Sequence, residues 1–162
     1  MNKQEIYEFL KNEDITHEIT EHKAVFNMAE LSEIDIPYPE ADAKNLFVRD
    51  DKKRSYYLIT VKGDKRVDLK EFRQKNGTRT LSFASENDLM HILKLTPGSV
   101  TPLGILNDDE RKVTFYLDKD FTEPPQIIGV HPNENTATVW LKADDLISII
   151  KNHGNAVSIT EI

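Results

Sequence analysis

The stretch Thr96-Pro97-Gly98-Ser99-Val100-Thr101-Pro102-Leu103-Gly104 joins a proline-fixed turn to a glycine and closes on a second proline. Gly98 can take φ > 0 in such a turn, which lets successive N–H groups converge on one point, while Pro102 stiffens the far side. Donors gathered this way, here the N–H groups of Ser99, Val100 and Thr101, can hold a carbonyl oxygen as it becomes an oxyanion. The same spacing also suits an ordinary turn between a helix and a strand. Lys44, between Ala43 and Asn45 and after the acidic Glu40 and Asp42, fits a phosphate contact, an electrophilic helper or a plain surface cation. His131 stands at a strand end before Pro132, placed to hydrogen-bond a substrate or to cap the turn.

Other chemistries are absent from the residue types. The chain has no cysteine, so it has no disulfide, thiolate nucleophile or sulfur-based zinc site. His17, His22, His91 and His153 show no HExxH or comparable ligand spacing, and no metal or cofactor is expected. GxSxG, Walker A and GxGxxG patterns are missing. Asp108-Asp109 and Asp144-Asp145 fit a turn and a helix start rather than a catalytic pair. No serine has an evident base partner, which leaves water as the nucleophile of any hydrolysis.

The elements that must position these residues mix helix and strand. Asn2 and Glu5 form a capping pair ahead of Ile6, Phe9 and Leu10, predicting a helix to about Asn12. Ile15 to Thr20 alternates as a short strand, Asn27 caps a short helix through Leu31, and Ile36-Pro37-Tyr38-Pro39 is extended. Asn45–Arg49 and Tyr56–Val61 read as a hairpin around Asp50-Asp51-Lys52-Lys53, and Asp68–Arg73 as a helical turn. Ser85 and Asp88 head a helix bearing Leu89, Ile92 and Leu93. Strands are predicted at Val113–Leu117, Gln126–His131 and Thr136–Leu141, the last two around the turn Pro132–Asn135. A closing helix runs from about Lys142 to Asn152, with Gly154 as its stop. With no repeat or linker-like shift in composition, the expectation is one α+β domain over residues 1–162 with a central mixed or largely antiparallel sheet.

Composition supports a globular chain of this size: 38% of the 162 residues are hydrophobic and 30% charged. No apolar run approaches the ~20 residues of a membrane span, and the first residues lack a signal peptide's apolar core, so a cytoplasmic protein is expected. The net charge of −7 hides a bipolar distribution. Lys44 to Arg79 contains twelve basic and five acidic residues, a local balance of +7, against −14 over the rest. A face of that sign can bind a polyanion on an acidic protein, because the nearby field is set within a Debye length of roughly 8 Å. A solvated, lysine-rich pair of strands accounts for the charge equally well.

Several motifs in order carry a resemblance. Thr16, His22-Lys23-Ala24-Val25-Phe26, Ala43-Lys44-Asn45-Leu46-Phe47, Leu81-Ser82-Phe83-Ala84, Gly98 to Pro102 and Gly129-Val130-His131-Pro132 together resemble the bacterial YbaK/prolyl-tRNA-synthetase-associated editing domains over essentially the whole chain. The resemblance implies a mixed sheet wrapped by helices and a deacylase of mischarged tRNA. It is nearest to free-standing members that remove alanine from tRNA(Pro), with cysteine- or serine-specific deacylation as the alternative substrate choice. A non-catalytic aminoacyl-tRNA or amino-acid sensor is the alternative class.

The resemblance further implies that Lys44 is the residue most tied to activity and that the Gly98–Pro102 loop lies at the aminoacyl ester. It makes His131 a substrate-positioning group, counts Asn45 and Pro102 among the substrate-binding residues, and gives Thr16 and Phe26 the amino-acid pocket. The implied partner is the acceptor stem of tRNA(Pro) carrying alanine, with Arg49, Lys75 and Arg79 as candidate contacts. Prolyl-tRNA synthetase or an elongation factor would be transient partners, and neither membrane nor DNA is implicated.

Overall fold

The computed structural model describes residues 1–24 and 37–162. The predicted Asn27–Leu31 helix, Ile36 and Phe26 lie outside the described residues. Helix α1 (Lys3–Asn12) opens on a full capping box: the Glu5 N–H donates to Asn2 Oδ1, and the Asn2 N–H donates to Glu5 Oε1. Strand β1 (His17–Glu21) starts two residues later than the alternation suggests, because the Ile15 N–H is spent on Leu10 O at the helix end. After a 3₁₀ turn at Pro39–Ala41, β2 (Ala43–Asp50) and β3 (Tyr56–Lys62) form the expected antiparallel hairpin. Asp50 holds its turn by accepting from the N–H groups of Lys52 and Arg54.

Helix α2 (Leu69–Asn76) has two turns where one was expected, capped by Asp68 and stopped by Gly77 at φ 68°. Next come β4 (Leu81–Phe83) and α3 (Glu86–Leu93), whose Ser85 cap accepts from the Asp88 N–H. Two 3₁₀ segments follow at Pro97–Ser99 and Pro102–Asn107. The chain ends with β5 (Val113–Asp118), β6 (Ile127–Val130), β7 (Ala137–Lys142), α4 (Ala143–His153) and β8 (Val157–Thr160).

The strands form two sheets where one was expected. The larger runs β4-β2-β3-β5-β8, antiparallel around β2 and parallel where β5 joins β3 and β8. The smaller, β1-β7-β6, is antiparallel. The main core lies between them: Phe47, Leu58, Phe115 and Leu117 meet Ile128, Val130, Val139 and Leu141, closed by Ile6 and Leu10 of α1 and by Leu146 and Ile150 of α4. On the other face of the larger sheet, Val48, Ile59 and Val61 pack with Phe72 of α2 and with Leu81. Cover on both faces explains why β3 is apolar at nearly every position instead of alternating. Among the described residues no helix is long and apolar enough to cross a membrane.

Candidate active site

One place in the fold draws on both sheets: the segment from Pro97 to Pro102 that follows α3. Asn45 on β2 donates from Nδ2 to Val100 O at 3.3 Å. Its own Oδ1 accepts from the buried Thr60 hydroxyl, across the β2–β3 ladder, at 2.6 Å. Both ends of the Asn45 amide are therefore used, and its orientation follows from the partners, since a hydroxyl donating to one end and a carbonyl at the other allow one assignment. From the smaller sheet, the fully buried Thr101 donates through Oγ1 to His131 O at 2.7 Å. The loop is held from both sides.

His131 follows β6, and its Nδ1 lies 2.9 Å from Ala137 O at the start of β7. A carbonyl only accepts, so Nδ1 carries the proton and Nε2 the lone pair. Burial pulls the His131 imidazole below its ordinary value; the bond to Ala137 O opposes this, and neighbouring His22 adds to it. The ring is therefore neutral at neutral pH, with Nε2 able to accept. His22 stands edge-on to it at 6.3 Å between ring centroids. Its Nδ1 donates to Lys23 O at 2.8 Å, and its Nε2 meets the Thr138 hydroxyl at 2.9 Å.

Behind these groups Trp140 lies flat over Gly129, where an added Cβ would meet the indole Cε3 at 2.7 Å. The indole N–H is held by Thr20 at 3.0 Å. Gly129 is thus required by close approach, which sets how near β6 and β7 bring His131 to the loop.

The sequence-predicted residues divide. Asn45, Val100, Thr101 and His131 are brought together, with Pro102 buried at the start of the second 3₁₀ segment. Gly98 departs from expectation: it sits inside a 3₁₀ turn and is not among the glycines at positive φ, which are Gly77 and Gly154. The Ser99 N–H closes that turn on Thr96 O at 2.9 Å, so it is not free to meet an oxyanion. The Val100 and Thr101 N–H groups make no backbone bond among the described residues and are the donors the loop still offers.

Lys44 leaves β2 on the face opposite Asn45, alongside Leu46 and Val48, because the register is regular and side chains alternate. It is half-buried and enters none of the ion pairs among the described residues. Thr16 is exposed just before β1, whereas His22 follows the other end of that strand, about 20 Å away along an extended chain. The structure does not bring Thr16 to the loop; it lines a separate surface cleft with Tyr7, Lys11 and Ile19.

Among the candidate tRNA contacts, Arg79 is held by both oxygens of Asp51 at 2.6 and 3.1 Å. Arg49 donates to Asp50 O, and Lys75 reaches Glu161 O at 3.3 Å. Two features are not announced by residue type. His22 belongs to one of the quoted motifs, but its spacing gives no sign of its approach to His131. Asp42, just before β2, is pushed up to about 6 by burial and then by Glu40, and its Oδ1 is buried without a partner. No run of residue types announces a half-buried carboxylate of that kind. No group of three or more His, Asp or Glu among the described residues is placed to hold a metal ion.

Comparison with known proteins follows the same lines. The pattern of the family described as "Aminoacyl-tRNA editing domain" matches residues 22–149. The prolyl-tRNA editing protein ProX of Acetoanaerobium sticklandii is 40% identical over 160 residues, covering 99% of this chain and 97% of that one. The prolyl-tRNA synthetase associated domain-containing protein 1 of Bos taurus is 35% identical over 144 residues, 87% of this chain and 84% of its own. A solved structure of a candidate trans-editing enzyme for prolyl tRNA synthetase superposes with a TM-score of 0.69 at 18% identity, covering 99% of this chain and 96% of that chain, and shares the fold.

Proposed function

The chain belongs to the aminoacyl-tRNA editing domain family, and on that premise we propose that it is a free-standing deacylase that frees alanine from mischarged tRNA(Pro). The observation that carries the reading is the loop clamped between Asn45 and His131, which sets the unbonded Val100 and Thr101 N–H groups beside a neutral imidazole. In the reaction, water adds to the ester carbonyl, and its proton passes to His131 Nε2. The developing oxyanion is met by the N–H groups of Val100 and Thr101. Collapse of the tetrahedral adduct breaks the bond to the ribose oxygen, which takes the proton back from Nε2 and leaves as the tRNA hydroxyl. Alanine and tRNA(Pro) are the products.

Lys44 acts from the other face of β2, where its ammonium, which enters no ion pair among the described residues, meets a phosphate near the 3′ end. Arg49, Lys75 and Arg79 supply contacts to the acceptor stem. The need for such an enzyme is general: a pocket built for proline rejects a side chain smaller by methylenes only about 10–200-fold, so a second, smaller site must remove the error. Its place is the cytoplasm, with translation, and the editing domain spans residues 1–162.

Deacylation of alanyl-, cysteinyl-, seryl- and prolyl-tRNA(Pro), each at a concentration below saturation, tests the proposal. Alanine should be released fastest and proline spared. Equal hydrolysis of alanyl- and prolyl-tRNA, or hydrolysis of neither, overturns it.

A further inference from the structure

Phe83 is the most exposed large hydrophobic side chain of the described residues, at 63%, and it lies on an edge strand that directly follows the basic stretch. Edge strands are normally blunted by charge or kept short, and a bare aromatic there offers its ring face to a partner. Its surroundings say which kind. Phe83 pairs with Val48 across the β2–β4 ladder and shares the sheet face that carries Leu46 and Lys44. Lys44 is four residues from Val48, about 13 Å along the strand.

On the other side, Arg73 of α2 donates to the Thr80 hydroxyl at 2.6 Å, three residues before Phe83. Neither Lys44 nor Arg73 enters an ion pair among the described residues. An exposed ring between two unneutralised cations, both from a segment with a local balance of +7, matches the chemistry of single-stranded nucleic acid: a base to stack and a phosphate on either side. The next residue ties this ring to the candidate active site. The Ala84 N–H donates to Phe47 O at 3.0 Å, two residues along β2 from Asn45.

From this juxtaposition we infer that Phe83 is a stacking platform for an unpaired base of the tRNA 3′ end, with Arg73 and Lys44 on the flanking phosphates. The inference rests on the deacylase reading for the identity of the nucleic acid. It goes further by naming the surface that leads the single strand to the loop.

Fluorescence anisotropy with uncharged tRNA(Pro), intact or lacking its unpaired CCA end, tests it directly. Phe83→Ala should weaken binding of the intact tRNA about 5- to 150-fold, the range for losing one base–aromatic stack, and leave the truncated tRNA unchanged. Phe83→Trp should retain binding, whereas Phe83→Leu, which keeps apolar area but no ring face, should behave like alanine. Circular dichroism checks that each variant is folded.

Equal losses on intact and truncated tRNA, or no loss on either, overturn the platform. So does a Phe83→Ala variant whose tRNA affinity is intact but whose self-association, measured by sedimentation, has disappeared. The test reads binding, so it separates from the deacylation panel. A protein that holds the CCA end through Phe83 yet hydrolyses no ester would refute the deacylase and keep the platform.

Discussion

At the scale of single residues the proposed mechanism rests mainly on two side chains, and they respond to different variables. Lys44 has no carboxylate to satisfy it among the described residues, so its charge is available to substrate. Lys44→Ala should lower kcat/KM about 10- to 100-fold, the worth of one charge-assisted hydrogen bond, with thermal stability matching a Lys151→Ala control. His131 responds to pH. Its imidazole is held neutral by burial, so folding keeps it below the 6.5 of an ordinary histidine. The unfolded chain therefore binds the proton first as pH falls, and this contribution to stability is present above pH 6.5 and lost on acidification through the folded value. Urea midpoints measured between pH 7.5 and about 5 should fall on the acid side, and the fall should flatten in His131→Gln. Asn45 and His131, which the structure brings to the loop, were singled out by the sequence, whereas the opposite-facing direction of Lys44 follows only from the register of β2. What was not legible was Gly98: Pro-Gly suits a turn with φ > 0 at glycine, but proline at that position also starts a tight helical turn, and the structure takes the second course.

Between elements, the decisive object is the clamp on the Val100–Thr101 segment, which joins β2 to the end of β6. Asn45→Ala removes the β2 side and orphans the buried Thr60 hydroxyl, a loss of about 1–3 kcal/mol in stability. The sharper expectation is kinetic. With the loop held from one side only, kcat should fall more than KM rises, and amide exchange should quicken at Val100 and Thr101 but not in β3. Long, strongly patterned elements such as α1, α4 and the β2–β3 hairpin were readable because caps, periodicity and turn residues agree. Strands β4 and β8 were not, since three or four residues are too few for alternation to show and their pairing is decided by the neighbours β2 and β5. Where Thr16 lies was hidden for a related reason: the five residues of β1 are extended and carry it to the far end of the strand from His22.

For the molecule as a whole, the uneven charge was visible from composition, but the pairing within it was not. Arg79 is already spent on Asp51, whose carboxylate it holds below the usual range. Asp51→Asn should therefore free a cation and tighten tRNA binding, with the salt dependence steepened by about one unit. Arg79→Ala should cost less than its exposure suggests. An unchanged salt slope in Asp51→Asn would place the stem elsewhere. The division into two sheets was also hidden, because the partner of a strand is chosen by shape and not by its own sequence. That division has an outcome for heat. The loop's geometry depends on one tether from each sheet, so it survives only while the sheets keep their mutual arrangement. Warming should accordingly extinguish catalysis and tertiary structure together. The temperature of half-inactivation should coincide with the calorimetric midpoint, with none of the early fading seen when a catalytic loop melts ahead of its scaffold.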